Sequence, residues 1–267
     1  MKHYRALGVE PRVHAKKRKA LPSLLALPIS LSRRNLRLSL RWSSILKMTK
    51  ERSNLRSIFE ATKREHPQDC QLGKHAACTF QGTIHYSFDS AQQLQYPANP
   101  LQPGPIYFPR KCGLFRIHCK ALSKQFNFLI DEGVCVGKGA DGIISLLHFF
   151  FEKYGLGEAS VHLHADNCSG QNKNSAVLHY LLWRVLTGHH KAATLSLLIT
   201  GYTKFASDGV FGLIKRRYRK TPVNCLAGLA DIVTSSSKMN LVQSCGNEAG
   251  EMCVPSHQRT AFLATLF

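Results

Sequence analysis

The stretch VHLHADNCSGQNKN, residues 161–174, joins a short alternating strand to a polar turn that contains a glycine. The strand ends on Asp166, in a chain whose 36 Lys and Arg outnumber 16 Asp and Glu and give a net charge of +20. Two explanations compete for an acid in this position. Either Asp166 holds a metal ion that faces a nucleic acid, or it belongs to a zinc hydrolase motif of the form His-x-His-x-Asp.

The segments on both sides of this stretch predict a mixed α/β domain. Alternating or apolar runs predict strands at residues 83–93, 106–119, 125–131, 159–166 and 193–201. Helical spacing of apolar residues predicts helices at 138–155, 174–188 and 207–220. Short loops make the first three strands an antiparallel meander, whereas an intervening helix makes the last two parallel. A mixed sheet with helices on its faces follows.

Three aspartates lie at predicted ends of strands or at the start of a helix. Asp89 is expected at the end of the first strand, Asp166 ends the fourth, and Asp208 opens the helix after the fifth. If the first and fourth strands are parallel neighbours, Asp89 and Asp166 come close together at their carboxyl ends. Converging carboxylates in a cationic groove suit Mg²⁺ or Mn²⁺, and two such ions can act on a phosphodiester. Taken singly, each acid also fits a helix cap, a turn or an exposed strand end.

Two other acidic groupings compete with these three residues. Asp131 and Glu132 end the third strand, which we expect to point to the opposite edge of the sheet. His162, His164 and Asp166 share one strand face and match the core of a metallo-β-lactamase-like zinc site. That motif continues Asp-His, whereas Asn167 stands here, so we expect both histidines to be buried, hydrogen-bonded side chains beneath the acids.

The basic excess is concentrated near the amino terminus. Residues 1–66 hold 17 of the basic and 4 of the acidic residues, show no sustained periodicity and predict a mostly disordered extension over 1–70. Such a charge favours a polyanionic partner, most simply DNA. The motif KKRK at 16–19 favours the nucleus, while cytoplasmic or mitochondrial locations stay open. Nine scattered cysteines without a C-x-x-C pair argue against a zinc ribbon, and no apolar run is long enough to span a membrane.

Several separated blocks resemble one transposon-derived family of uncharacterised animal proteins, catalogued as a domain of unknown function (7869-type). The blocks include HYSFDSAQQ, NPLQPGPIYF, LHADNCSGQNKN and GYTKFASDGVFGLIKRRYR, and the resemblance covers about 78–235. It implies a ribonuclease-H-like, integrase/transposase-type fold with five strands in the order 3-2-1-4-5. It also implies DNA cleavage and transfer by three acids that fall on Asp89, Asp166 and Asp208 here.

The chain departs from the family pattern at several places. Tyr202 stands where the family has His, and Ser90 stands where it has an aromatic residue. These departures are typical of a decayed or truncated element copy, although all three acids persist. The alternative function is therefore a non-catalytic remnant that binds nucleic acid, and a zinc-dependent hydrolase ranks behind it.

The sequence thus predicts a ribonuclease-H-like domain at 78–235, preceded by the basic extension and followed by a poorly structured tail at 236–267. Asp89, Asp166 and Asp208 are the predicted catalytic and metal-binding residues, with Mg²⁺ or Mn²⁺ as cofactor and DNA as partner. The residues predicted to contact nucleic acid are Gln171, Lys173, Asn174, Lys204, Lys215, Arg216, Arg217 and Arg219.

Overall fold

The computed structural model describes 75–101, 109–134, 139–166, 168, 172–198, 206–247 and 249–266, together with the backbone of five short strands between residues 2 and 44. Within the ranges from 75 onward, side chains are described except at 198 and 206–208. The predicted site residues Gln171 and Lys204 lie outside the described residues, as does the side chain of Asp208.

Between residues 80 and 218 the described elements follow the predicted order of strands and helices. The first five strands are β1 (Lys2–Arg5), β2 (Glu10–Ala15), β3 (Leu27–Leu31), β4 (Arg34–Leu38) and β5 (Arg41–Ser44). Next come β6 (Phe80–Tyr96), β7 (Arg110–Cys119), β8 (Lys124–Asp131), α1 (Ala140–Tyr154), β9 (Glu158–Asp166) and α2 (Ser175–Leu186). The chain continues through β10 (Ala192–Leu198), α3 (Ala206–Tyr218), α4 (Leu226–Ser236), β11 (Asn240–Ser244) and α5 (Arg259–Leu266).

The sheet is mixed, as predicted, but larger than predicted. Strands β6, β7 and β8 form an antiparallel meander, while β9 pairs parallel to β6 and β10 pairs parallel to β9. The central strands therefore stand in the order β8-β7-β6-β9-β10, which is the expected order of the five predicted strands. The prediction of five strands is wrong, because β11 extends the sheet beside β8, and β1, β2 and β5 extend it beyond β10.

Both ends of the chain contain regular secondary structure. Five strands lie between Lys2 and Ser44, with β1 paired antiparallel to β10, while most of the extension at 1–70 lies outside the described residues, so its disorder stays a prediction. The tail at 236–267 was expected to be poorly structured, yet it forms β11 and α5. These short elements have little periodicity of their own. They are stabilised by pairing or packing with distant segments, such as β8 for β11, and a local pattern does not reveal such partners.

One face of the sheet is apolar and carries the main core. Helices α1 and α2 cover this face, where alternate residues of the central strands are large and apolar, such as Tyr86, Phe126 and Leu163. Phe150 of α1 is fully buried among them, with its ring centroid 5.2 Å from that of Tyr86 and 4.9 Å from that of Phe126. Aromatic packing at these distances holds α1 to the meander.

The opposite face is divided into an apolar part and a polar part. Beyond the middle of the sheet, Ile214 of α3 and Leu229 and Val233 of α4 pack against Leu94 and Leu114. Nearer the amino end of β6, the same face carries a row of buried polar side chains instead. The row consists of His85, Ser87, Arg116, His118, Gln125, Asn127, His164 and Ser196. The candidate site lies where these two parts meet.

None of the described helices combines the length and the apolar character that crossing a bilayer requires.

Replacing Phe150 with Ala is expected to lower the free energy of unfolding by about 3–5 kcal/mol, because it leaves a cavity in the aromatic core. Phe262 of α5 is 52% exposed and supplies the matched control, for which we expect a change within about 0.5 kcal/mol. Urea unfolding followed by circular dichroism measures both. Equal losses in the two variants would contradict the position of this core.

Candidate functional site

The register between β6 and β9 aligns two short series of polar residues. His85 pairs with His162, and Ser87 pairs with His164, the last pair that these two strands share. Paired residues of neighbouring strands point to the same face, and alternate residues along a strand share a face. Two positions beyond the last pair, Asp89 of β6 and Asp166 of β9 therefore stand at equivalent positions on that face.

The two strands part at the level of the acids. Strand β9 ends at Asp166, whereas β6 continues to Tyr96 through an irregularity between Ala91 and Leu94. The prediction that Asp89 ends its strand is therefore wrong. What ends near Asp89 is the pairing of β6 with β9, and the resulting fork opens beside the two carboxylates. The strand predicted at 83–93 stops short of Tyr96 because a bulge interrupts the alternation of apolar and polar residues.

Asp89 is held by a buried arginine of the neighbouring strand. Arg116 lies directly across from Asp89 in β7, and its Nη2 donates to Asp89 Oδ2 at 2.8 Å. The Arg116 side chain is 4% exposed and that of Asp89 is 23% exposed. A charge-assisted hydrogen bond with so little water around it fixes the carboxylate and compensates part of its charge.

Asp166 is oriented by the turn that follows it. Its Oδ1 accepts hydrogen bonds from Asn172 Nδ2 at 2.5 Å and from the backbone N–H of Cys168 at 3.2 Å. The turn is closed by the backbone N–H groups of Asn172 and Lys173, which both donate to the carbonyl of Cys168. Asn172 is 1% exposed and was not among the predicted site residues. The polar turn therefore positions the acid.

The position of Asp208 follows from the position of the helix that contains it. Asp208 is the third residue of α3, and Phe211, one turn further on, has its ring centroid 5.3 Å from the Arg116 guanidinium carbon. Because Arg116 contacts Asp89, the first half of α3 lies on the same side of the sheet as the fork. The backbone of α3 therefore begins near Asp89.

The predicted nucleic-acid contacts separate into exposed and structurally engaged residues. Arg216, Arg217 and Arg219 are exposed at the carboxyl end of α3. Lys215 instead lies 5.0 Å above the Phe211 ring and donates to Gln92 of β6.

Two further predicted contacts lie at the amino end of α2. Lys173 is half-buried in the turn that precedes the helix. Asn174 is the N-cap of α2, and its Oδ1 accepts from the backbone N–H of Val177 at 3.0 Å. A structural role therefore accounts for the Asn174 oxygen, as is usual for Asn at this position.

Below the acids, three histidines form a compact group, named here the histidine cluster: His85, His162 and His164. Each ring offers one nitrogen, and these nitrogens lie within 4.8 Å of one another. His164 is 1% exposed and His162 is half-buried, which agrees with the expectation of buried, hydrogen-bonded histidines. The predicted zinc grouping contained Asp166, whereas in the structure the third member is His85. The signal that identifies His85 is the matching alternation of polar residues in HYSFD and HLHAD, which becomes visible when the two strands are paired.

Burial changes the acid–base properties of the histidines in the polar row. Loss of solvent, with a smaller contribution from the positive charge of Lys120, lowers the pKa of His118 to about 3 and that of His85 to about 4. Both imidazoles are therefore neutral at pH 7.

The rival acid Asp131 does not point to the opposite edge as expected. In the meander β8 runs in the same direction as β6, so Asp131 and Tyr96 end their strands at the same edge. The Tyr96 hydroxyl donates to Asp131 Oδ1 at 2.7 Å, and Arg110 Nη2 lies 2.6 Å from Asp131 Oδ2. Asp131 is thus occupied in joining β6, β7 and β8.

A second charged group lies at the other end of β9, about 26 Å from the acids at the usual rise of a strand. Arg184 Nη1 donates to Glu152 Oε1 at 3.0 Å and to the Tyr180 hydroxyl at 3.2 Å. Arg184 Nε donates to His190 Nδ1 at 3.2 Å, and His190 Nε2 lies 3.8 Å from Glu158 Oε1. These contacts join α1, α2 and β9, which makes the group part of the framework.

The fold and the site define a mixed α/β domain with two aspartates at a fork between parallel strands. Residues 138–252 match a family model described as a domain of unknown function, DUF7869. The matched segment contains Asp166 and Asp208 but begins after β6, so it does not include Asp89. The resemblance is thus confirmed for residues 138–252, as a domain of unknown function. A transposon origin and a ribonuclease-H-like fold stay predictions.

No curated protein was found to match the sequence. A solved structure described as "Crystal structure of NurA" is similar at 9% identity over 72% of this chain, with a TM-score of 0.15. This chain covers 46% of that structure's chain. The TM-score is far below that of a shared fold, so nothing about fold or function follows from it.

Lowering the pH is expected to destabilise the domain through its buried histidines. In the unfolded chain His118 binds a proton below its ordinary pKa of 6.5, whereas its pKa in the folded chain is about 3. The contribution of neutral His118 to the free energy of unfolding is therefore complete above pH 6.5 and is lost as the pH falls toward 3. Replacing His118 with Gln should reduce the slope of unfolding free energy against pH by about 1.4 kcal/mol per unit below about pH 6. Urea unfolding between about pH 7 and about pH 5 measures this, and an unchanged slope would contradict it.

Proposed function

We propose that the domain is a transposon-derived, ribonuclease-H-like nuclease or transposase-type domain that cuts or joins DNA phosphodiesters with two Mg²⁺ or Mn²⁺ ions. Asp89, Asp166 and Asp208 would bind the ions. The observation that carries the proposal is the β6–β9 register, which puts Asp89 and Asp166 at equivalent positions of adjacent parallel strands. Transposon origin rests on the sequence resemblance.

The spacing of the two strands just before the fork suits a pair of metal ions. Paired strands lie about 4.8 Å apart, and paired ions in phosphoryl-transfer sites lie about 3.5–4 Å apart. The site also lies where the sheet changes from antiparallel pairing with β7 to parallel pairing with β9. In open α/β sheets such a crevice, beyond the carboxyl ends of strands, is a common ligand site.

The described residues fit divalent ions with oxygen ligands. Asn172 and the Cys168 amide both contact Asp166 through Oδ1, which fixes the orientation of this carboxylate. When bound, the ions would activate an attacking water or hydroxyl and stabilise the leaving oxygen of the phosphodiester. Holding the carboxylates in place beforehand is the contribution of the protein.

The surface beside the fork supplies positive charge for a phosphate backbone. Helix α3 begins near Asp89, and the exposed residues Arg216, Arg217 and Arg219 lie in its last turn and directly after it. Its 13 residues span about 20 Å, the length of about six base pairs. A DNA strand that lies along α3 would meet these guanidinium groups at one end and the carboxylates at the other.

The same proposal includes a nuclear location. The KKRK motif at 16–19 is of the type that directs import, and a DNA substrate would be met in that compartment. The net charge of +20 would speed encounters with DNA at low salt.

A second candidate function is nucleic-acid binding without catalysis. The observation that favours it is the ion pair between Asp89 and the buried Arg116, at 2.8 Å, because the guanidinium already supplies positive charge that a metal ion would bring. In a non-catalytic domain the exposed residues Arg216, Arg217 and Arg219 would contact phosphates, and the acids would stabilise the fold.

The two candidates separate in a plasmid-nicking experiment. Wild-type chain with Mg²⁺ or Mn²⁺ should nick supercoiled DNA, and Asp166→Asn should lose activity by a factor on the order of 100 or more, because a metal ligand is removed while the size of the side chain is kept. Asp231→Asn, an exposed acid of α4, is the matched control and should nick as the wild type does.

Equal activity of wild type and Asp166→Asn would remove the catalytic proposal. The non-catalytic candidate then predicts DNA binding whose log–log salt slope is about 0.9 per phosphate contacted, and a shallower slope when Arg216, Arg217 and Arg219 are replaced. Binding that does not depend on salt would remove that candidate too.

A further inference from the structure

The histidine cluster is a feature that the proposed nuclease chemistry does not use. Its three rings come from two strands only, with His85 on β6 and with His162 and His164 on β9. The His162 and His164 rings are stacked with centroids 4.3 Å apart, and the centroid of His85 lies 4.8 Å from that of His162. Three imidazoles converge here because the parallel register places alternate residues of both strands side by side.

The distances between ring nitrogens are close to those of a metal site. His85 Nδ1 lies 3.1 Å from His164 Nε2, and two ligands of a tetrahedral zinc ion with bonds of about 2.0–2.1 Å are about 3.3 Å apart. The nitrogens that the three rings offer all lie within 4.8 Å of one another. Small rotations of the rings would therefore bring all three to one ion.

The surroundings of the cluster include a group that can orient a ligand ring. Ser196 of β10 has its Oγ 2.5 Å from His162 Nε2. Metal-bound histidines usually place their second nitrogen against an oxygen of this kind, which fixes the tautomer and the orientation of the ring. Three adjacent strands, β6, β9 and β10, thus contribute to the site.

We propose that His85, His162 and His164 bind one transition-metal ion of the Zn²⁺ class, at a site separate from the aspartates. Imidazole nitrogen suits Zn²⁺, whereas carboxylate oxygen suits Mg²⁺ and Mn²⁺, so the two sites select different ions. His85 and His164 are 4% and 1% exposed, which suits a structural ion.

The position of the ion gives it a role in the geometry of the fork. His164 precedes Asp166 by two residues, which is about 6.6 Å along a strand. An ion held by His85 and His164 would join β6 to β9 at the last level before the strands part. It would therefore fix the relative position of Asp89 and Asp166.

Titration of the metal-free full chain tests the proposal, with Zn²⁺ followed by calorimetry and Co²⁺ followed by absorption. We expect one ion per chain, an intense tetrahedral Co²⁺ spectrum without thiolate charge transfer, and a rise in the temperature of unfolding with Zn²⁺. Replacing the half-buried His162 with Gln should weaken binding by a factor on the order of 100 or more, as should His164→Gln. His118→Gln, a buried histidine outside the cluster, and Asp166→Asn should bind as the wild type does.

Several results would overturn the proposal. The first is that the wild type binds no Zn²⁺ or Co²⁺, and the second is that His162→Gln binds as tightly as the wild type does. The third is that Asp166→Asn loses binding while His162→Gln retains it. The fourth is a thiolate band in the Co²⁺ spectrum, which would assign the ion to cysteines. X-ray absorption of the Zn²⁺-bound wild type needs no variant and covers the case in which a substitution prevents folding. We expect three imidazole ligands at about 2.0–2.1 Å, and fewer than two would contradict the proposal.

Discussion

The parallel pairing of β6 with β9 is the constraint on which the candidate chemistry depends. It aligns HYSFD with HLHAD so that His85, Ser87 and Asp89 share a face and a level with His162, His164 and Asp166. Each strand alone presents an ordinary alternation of polar and apolar residues. Their pairing turns two separate series into one polar track, which leads from buried imidazoles to partly exposed carboxylates at the fork.

The second determinant of metal binding is how far the negative charge of each aspartate is already compensated by its neighbours. Arg116 holds Asp89, while Asp166 is held by an amide and a backbone N–H that bring no net charge. A divalent ion would therefore find more uncompensated negative charge at Asp166 than at Asp89. This asymmetry makes Asp166 the residue whose replacement is most informative, and it is also the physical basis of the non-catalytic alternative.

The sequence predicted the central strands and the helices between them, because buried strands and amphipathic helices leave strong periodic signals. The order of those strands was implied by the family resemblance. The sequence placed Asp166 at a strand end because polar turn residues follow it directly. It did not predict the length of β6, since a bulge breaks the alternation, nor β11, whose pairing partner β8 is more than 100 residues earlier. The ion pair of Asp89 with Arg116 and the addition of His85 to the histidines were also missed. Both depend on the register between strands, which appears only when the sheet is assembled.

The central claim is that β6 and β9 bring Asp89 and Asp166 together around divalent ions, and anomalous diffraction from crystals soaked in Mn²⁺ tests it most directly. We predict an anomalous peak at about 2.1 Å from carboxylate oxygens of both residues. A peak at neither residue, or carboxylates separated by more than about 10 Å, would contradict the claim, because ions about 4 Å apart could not bridge that distance.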